Sequence, residues 1–346
     1  MFWKKKQFWG SIIAVALLGF CLKDVRLAEI QSLGQRLDYV YLIPAVVFAF
    51  VFIIIKGLRW KVLISQQRKI GTSRAITLYS AGQILNIVMP VLTGQVGRLF
   101  LFSRNEGLRK TVVFSTIMLE VLFDSISLVI FLFVTSLAFA FPEGYQTISL
   151  VILAVTVFVL ILLYLMLHYQ ISLEEFGRRH LRERSPGLYI GVKKFIRSFT
   201  KGMDLLHSSQ HIIGTMLYSL ASWAAHTLVI FFLLKSCGFS LPFAAAAAIM
   251  IINTLAVMIP ITPGNAGTFE LAVSSSLAAF SVARSDAVLF ALALHLLDLL
   301  PIFLMGSIFL RHQKVSIREI QEKHDSEIIF DQVDEDGVFV EKEEQV

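Results

Sequence analysis

The sequence predicts an all-α, polytopic integral membrane protein, with about six full transmembrane helices and two Pro/Gly-broken re-entrant hairpins in an inverted repeat. Three observations predict it. Of the 346 residues, 56% are hydrophobic and only 16% are charged, against about 25% charged in a typical soluble domain. A soluble fold this apolar would lack the polar surface to cover itself. The apolar residues fall in blocks long enough to cross a bilayer, which takes about 20 residues per helix. Two of these blocks carry Pro and Gly near their middles, in matched spacing.

The apolar blocks are roughly 7–22, 39–55, 75–103, 111–140, 147–168, 211–235, 243–280 and 285–310. The start, Met1 to Lys6 and then an apolar run from Phe8, lacks a small-x-small cleavage site, so it reads as an uncleaved first span. Phe is abundant, at 29 residues, and suits lipid-facing surface. Cys21 and Cys237 lie in or beside apolar segments. They offer neither a metal cluster nor a disulfide framework and read as small packing residues. Net charge is +6, but the basic residues cluster between apolar blocks, as in cytoplasmic loops, rather than as a nucleic-acid footprint.

Lys/Arg placement sets the orientation. Lys4, Lys5 and Lys6 place the N-terminus in the cytoplasm. Lys56, Arg59, Lys61, Arg68, Lys69 and Arg74 read as one cytoplasmic loop, and Arg104, Arg109 and Lys110 as another. The block 75–103 between them therefore enters and leaves on the same side. Reading it as a single full span would put those last three cations outside. Phe141–Gly144 has no Lys or Arg and is external, whereas the loop 169–210 is strongly basic and cytoplasmic. The block 243–280 then starts and ends outside, and the last span returns to Arg311 and Lys314 inside. Residues 1–315 form the transmembrane domain. Residues 316–346, with Asp331, Asp334, Glu335 and Asp336, form an acidic cytoplasmic tail expected to be disordered.

The interrupted blocks share Pro-x3-Gly-x2-Gly: Pro90, Gly94 and Gly97 in the first, Pro260, Gly264 and Gly267 in the second, where Pro263 precedes Gly264. Asn86 and Asn253 lie upstream. Pro stops a helix by removing a donor and clashing with the preceding turn, and Gly accepts the positive φ of a tight turn. Opposite entry makes the pair an inverted-topology repeat, whose broken helices mark transporter binding sites near the midplane. Backbone freed at that depth must be buried in protein or line a wet cavity. The inward N-termini of the second half-helices would attract anions such as phosphate. The bland alternative is a pair of ordinary Pro/Gly kinks.

Ionisable groups at membrane depth cost roughly 2.5–3.5 kcal/mol each on insertion scales. Glu120 and Asp124, four apart, share one helix face, as do His295 and Asp298, three apart. Arg98 and Glu270 begin the inward half-helices, and His226 lies within the fifth span. The functional reading is a charged cavity between two halves, in which Arg98 meets a phosphate. The carboxylates there pair with Arg98, take a cationic head group or exchange protons. The alternative is internal ion pairing that locks helices together. His226 reads as a hydrogen-bonded helix contact, and Trp60 as an interfacial anchor. No Gly-x-Ser-x-Gly, P-loop or His-Glu-x-x-His motif is present, so neither an enzyme nor a bound cofactor or metal is expected.

These residues resemble the lysylphosphatidylglycerol synthase transmembrane (flippase-like) family. Its first-half pattern is similar to Pro90, Gly94-Gln95-Val96-Gly97-Arg98 and Glu120-Val121-Leu122-Phe123-Asp124. Its second-half pattern is similar to Pro263-Gly264-Asn265-Ala266-Gly267-Thr268-Phe269-Glu270, followed by His295, Pro301 and Gly306. Arg59-Trp60 also fits. Gln95 and Asn265 stand where the family has an acid and Gly, and Val121 and His295 where it has Arg. The resemblance covers about 10–312. It implies a bacterial or archaeal cell-membrane protein, and relatives that move aminoacylated phospholipid between leaflets. Those relatives carry a soluble aminoacyltransferase domain; the sequence ends at Val346 without one, so synthesis of lysyl-lipid is not expected. The leading expectation is a flippase or transporter for a phospholipid or polyprenyl-phosphate-linked glycolipid. The alternative is a non-transporting membrane partner of a glycosyltransferase or lipid-modifying enzyme.

Overall fold

The computed structural model describes residues 15–23, 37–88, 93–138, 208–257 and 262–313, with isolated residues between 153 and 193. Most of the first block, the 147–168 span, the external stretch 141–144, most of the basic loop, the acidic tail, Pro90 and Pro260 lie outside them. The elements among the described residues are helical, with no strand. After a helical stretch at 15–22 come α1 (Tyr39–Ile64), α2 (Thr72–Val88), α3 (Thr93–Glu106) and α4 (Lys110–Ala138). Then follow α5 (Ser209–Ser236), α6 (Phe243–Val257), a 3-10 turn (Pro263–Asn265), α7 (Thr268–Ala278) and α8 (Arg284–Gln313).

Four helices, Tyr39–Ile64, Lys110–Leu137, Ser209–Ser236 and Arg284–Arg311, are long and apolar enough to cross a bilayer. The protein is therefore a polytopic, all-helical membrane protein. Val40, Ile43 and Val47 on α1, Phe133, Val134 and Leu137 on α4, and Leu296, Leu300 and Leu304 on α8 are exposed. Such apolar surface suits hydrocarbon rather than water.

The interrupted blocks do break. At 1.5 Å per residue, helices of 17 and 14 residues are about 25 and 20 Å long, short of a ~30 Å hydrocarbon core. The first pair doubles back. Arg74 at the start of α2 donates from Nε to Glu106 Oε1 (2.6 Å) and from Nη2 to the Asn105 carbonyl (2.9 Å), at the end of α3. Near the break, a Cβ on Gly94 would lie 2.5 Å from Asn86 Cα, so only glycine lets the two limbs close. In the second block the Asn265 N–H bonds the Thr262 carbonyl (3.0 Å) across Pro263-Gly264. Gly264 has φ 60° and ψ 16°, the Pro-Gly arrangement of a type II turn. This elbow rests on the end of α2: a Gly264 Cβ would meet Ile87 Cγ2 at 3.2 Å.

The order long helix, broken hairpin, long helix occurs twice, as α1 to α4 and as α5 to α8. The N-caps Asp38 and Ser208 stand 170 residues apart. The equivalent helices α1 and α5 run antiparallel. The Asp38 N–H donates to the Ser236 carbonyl (2.9 Å), Phe48 stacks on Phe232, Phe52 on His226, and Arg59 reaches Ser219. Opposed equivalents are what an inverted repeat requires.

Two sequence expectations are corrected. The second span continues past residue 55 to Ile64, because no Pro intervenes and a single Gly57 is tolerated inside a helix, so Lys56, Arg59 and Lys61 are helical rather than loop residues. Trp60 is not an interfacial anchor but fully buried, its ring 4.0 Å from that of Phe102.

Helices α8 and α2 touch at Gly306, where a Cβ would lie 2.8 Å from the Ser80 carbonyl carbon and 2.9 Å from the Ala81 nitrogen. Gly306→Leu should therefore part these helices and cost ~1–3 kcal/mol through overpacking. It should lower the thermal unfolding midpoint in detergent, whereas Leu304→Ala on the exposed face should leave it unchanged.

Candidate functional site

Charge enters the helical interior through i+3 and i+4 spacings. On α4, Glu120 and Asp124 share a face; on α1, Lys56 and Arg59 do; on α5, Ser219, Trp223 and His226 do. Where these faces converge, fully buried Arg59 grips Asp124 bidentately, Nη1 to Oδ1 at 2.5 Å and Nη2 to Oδ2 at 2.9 Å. Its Nη1 also donates to Ser219 Oγ (2.9 Å), and its Nη2 lies 3.1 Å from Glu120 Oε1. Glu120 in turn accepts from Tyr79 Oη (2.8 Å) on α2 and from Arg98 Nη2 on α3. The Arg98 guanidinium lies over Tyr79 and Phe102, 4.8 and 5.1 Å from the ring centroids. Trp223 Nε1 donates to Asp124 (3.2 Å). Lys56 Nζ stands 3.8 Å from the same carboxylate, over the rings of Phe52 and Trp223.

This network joins five helices and both halves. It holds three cations and two carboxylates, one positive charge in excess. Burial grades across it: Arg59, Arg98 and Glu120 are buried, whereas the Lys56 and Asp124 side chains are 19% and 20% exposed. Arg59 Nε and Arg98 Nε have no hydrogen-bond partner among the described residues. A low-dielectric site with spare cationic donors is suited to an anionic group such as phosphate.

The second half is built differently. Glu270 accepts from the Gly267 N–H through Oε2 (2.6 Å) and faces His295 Nδ1 through Oε1 (2.7 Å). Gly267, at φ 85°, is the N-cap of α7. That helix N-terminus, read from the sequence as an anion site, is thus capped by its own carboxylate. The α3 N-terminus carries no acid in its first turn. The ring of His295 stacks on Phe269 at 4.3 Å. One turn along α8, both Asp298 oxygens lie 3.2 Å from His226 Nε2 on α5.

The six charged residues singled out from the sequence therefore form three groups: Arg98, Glu120 and Asp124 together, Asp298 with His226, and Glu270 with His295. Asp124 pairs with Arg59 rather than with Arg98. His226 is a hydrogen-bonded helix contact, as its sequence position suggested. Asn86 packs on Gly94. Asn253 is buried, and its Oδ1 has no partner among the described residues. Lys56 and Arg59 escaped as site residues because loop counting removed them from the helix; the signal was the Pro-free run from residue 55 to Ile64. Tyr79, Ser219 and Trp223 carried no local signal. No trio of His, Cys, Asp or Glu among the described residues can hold a metal ion.

Removing one partner of a buried ion pair strands the other, at ~3–5 kcal/mol. Arg59→Met should therefore destabilise the protein by that amount in denaturant unfolding in detergent. Adding Asp124→Leu to it should restore part of the loss.

The family described as the lysylphosphatidylglycerol synthase TM region matches residues 7–306. A UPF0104 membrane protein of Pyrococcus horikoshii is 23% identical over 337 residues, which cover 90% of this chain and 99% of that protein. No solved structure matches the chain. With residues 7–306 matched, the chain belongs to the lysylphosphatidylglycerol synthase TM region family.

Proposed function

We propose that the protein moves a phospholipid or a polyprenyl-phosphate-linked glycolipid between leaflets, and that it moves lipid rather than modifying it. The observation that carries this reading is the Arg59–Glu120–Asp124–Arg98 network at the junction of two antiparallel halves. Buried charge is costly, and well-packed apolar residues would hold helices together as well or better. An excess cation beside the partly exposed Lys56–Asp124 pair is suited to a phosphate head group. The family's description, a region of a lysylphosphatidylglycerol synthase, points to the same lipid chemistry. Broken hairpins beside such a network are the usual setting of a transporter site. The protein would sit in a bacterial or archaeal cell membrane with both termini cytoplasmic. Protease accessibility of terminal tags in oriented vesicles reads that topology.

A second reading draws on the internal pairing of these charges: a non-transporting partner of a glycosyltransferase or lipid-modifying enzyme, with the network as a lock. The triple variant Tyr79→Phe/Arg98→Met/Glu120→Leu separates the two, because it removes both ionic partners together with the hydroxyl that donates to Glu120 and leaves Arg59 its bidentate Asp124. Leaflet exchange of fluorescent phosphatidylglycerol in proteoliposomes should fall about tenfold or more, equivalent to a barrier rise of ~1.4 kcal/mol, while the unfolding midpoint holds. Exchange at the wild-type rate would leave the network only its locking role.

A further inference from the structure

The two halves hold their intramembrane carboxylates with different chemistry. In the first, the partners are the guanidiniums of Arg59 and Arg98, a group that stays protonated in proteins, and the ammonium of Lys56. In the second, they are His226 and His295, the side chain that changes charge near physiological pH. The difference falls on equivalent positions. Lys56 on α1 and His226 on α5 are 170 residues apart, like the N-caps Asp38 and Ser208. Asp124 and Asp298 occupy the corresponding long helices α4 and α8. Lys56–Asp124 and His226–Asp298 are thus one contact made twice. The copies share a side chain: His226 stacks on the Phe52 ring at 4.8 Å, and Lys56 Nζ stands 4.9 Å from the same centroid.

We propose that His226–Asp298 is the binding site for a coupling proton, with Lys56–Asp124 as its fixed-charge counterpart. This rests on the transport reading above. The pair takes one proton from water on one side and returns it to water on the other; no other bond changes. With the proton the pair is neutral overall and matches Lys56–Asp124. Without it the second half carries an extra negative charge, so the two halves cease to be equivalent. Alternating access in an inverted repeat works by the halves moving against each other around a fixed site, so a charge that sets their equivalence is placed to drive it. The Asp298 side chain is 17% exposed, so the pair is not sealed inside the protein. His226 meets Asp298 on α8 and shares the Phe52 ring with Lys56 on α1; Arg59 on α1, Glu120 and Asp124 on α4, and His295 on α8 answer one another or Tyr79, Arg98 and Glu270. Helix α6 holds no ionisable residue.

The test uses the full chain in liposomes containing fluorescent phosphatidylglycerol, with and without an imposed gradient of one pH unit. One proton per lipid shifts the steady-state leaflet ratio by up to about tenfold. His226→Lys should abolish the response, and Lys56→His, which makes the first pair titratable too, should alter its pH midpoint. If His226→Lys fails to give a monodisperse, cooperatively melting protein, Lys56→His decides alone, and an unchanged midpoint overturns the proposal. Exchange with no response to the gradient, or an equal response in wild type and His226→Lys, overturns the proton site and leaves transport standing. No exchange under any gradient overturns the transport reading and the coupling with it.

Discussion

Five of the described helices meet around the grip of Arg59 on Asp124. A guanidinium with no solvent exposure, one turn below the end of an apolar helix, is tolerable only if its charge and most of its donors are answered. Asp124 answers bidentately, Ser219 accepts one bond and Glu120 lies within 3.1 Å. Those partners come from α4 and α5. Glu120 then needs Tyr79 and Arg98, which come from α2 and α3. One buried cation thereby specifies how five helices meet. Its preference for a single geometry is stricter than apolar packing alone would impose, because shifting any of those helices would leave a charge unanswered.

The hairpins are placed by a different constraint. Glycine sits where backbones must touch: Gly94 against Asn86, Gly264 against Ile87, Gly306 against Ser80 and Ala81. In a bilayer, close approach of this kind replaces the hydrophobic drive that water would supply. The second elbow satisfies its own backbone through the Thr262–Asn265 turn, the Thr262 Oγ1 bond to the Ala266 carbonyl (2.8 Å) and the Glu270 cap on Gly267. The backbone freed among the described residues 262–267 is thus answered within the protein. Glu270 serves the helix it begins, which is why it stands apart from the Arg59 network.

The duplicated architecture has not kept duplicated chemistry. The first half is closed by Arg and Lys, the second by His. Lys56–Asp124 and His226–Asp298 meet at the same Phe52 ring, yet one pair uses an ammonium and the other an imidazole. Equivalent backbones thus carry unequal side chains around their carboxylates.

By itself the sequence determined the membrane class, the helical content, the two breaks and their repeat. Those properties depend on local quantities: run lengths of apolar residues, the missing N–H of Pro, the φ freedom of Gly and the 3.6-residue period that places Glu120 beside Asp124. It also placed Arg98, Glu120 and Asp124 as a candidate group. The tertiary structure alone decided who pairs with whom. Asp124 went to Arg59, 65 residues away, and Asp298 to His226, 72 away, because helix packing brings distant faces together and no local rule encodes that. Lys/Arg counting, a rule about loops, removed Lys56 and Arg59 from consideration as site residues. Only the packed helices show that a guanidinium surrounded by carboxylates can lie inside a span.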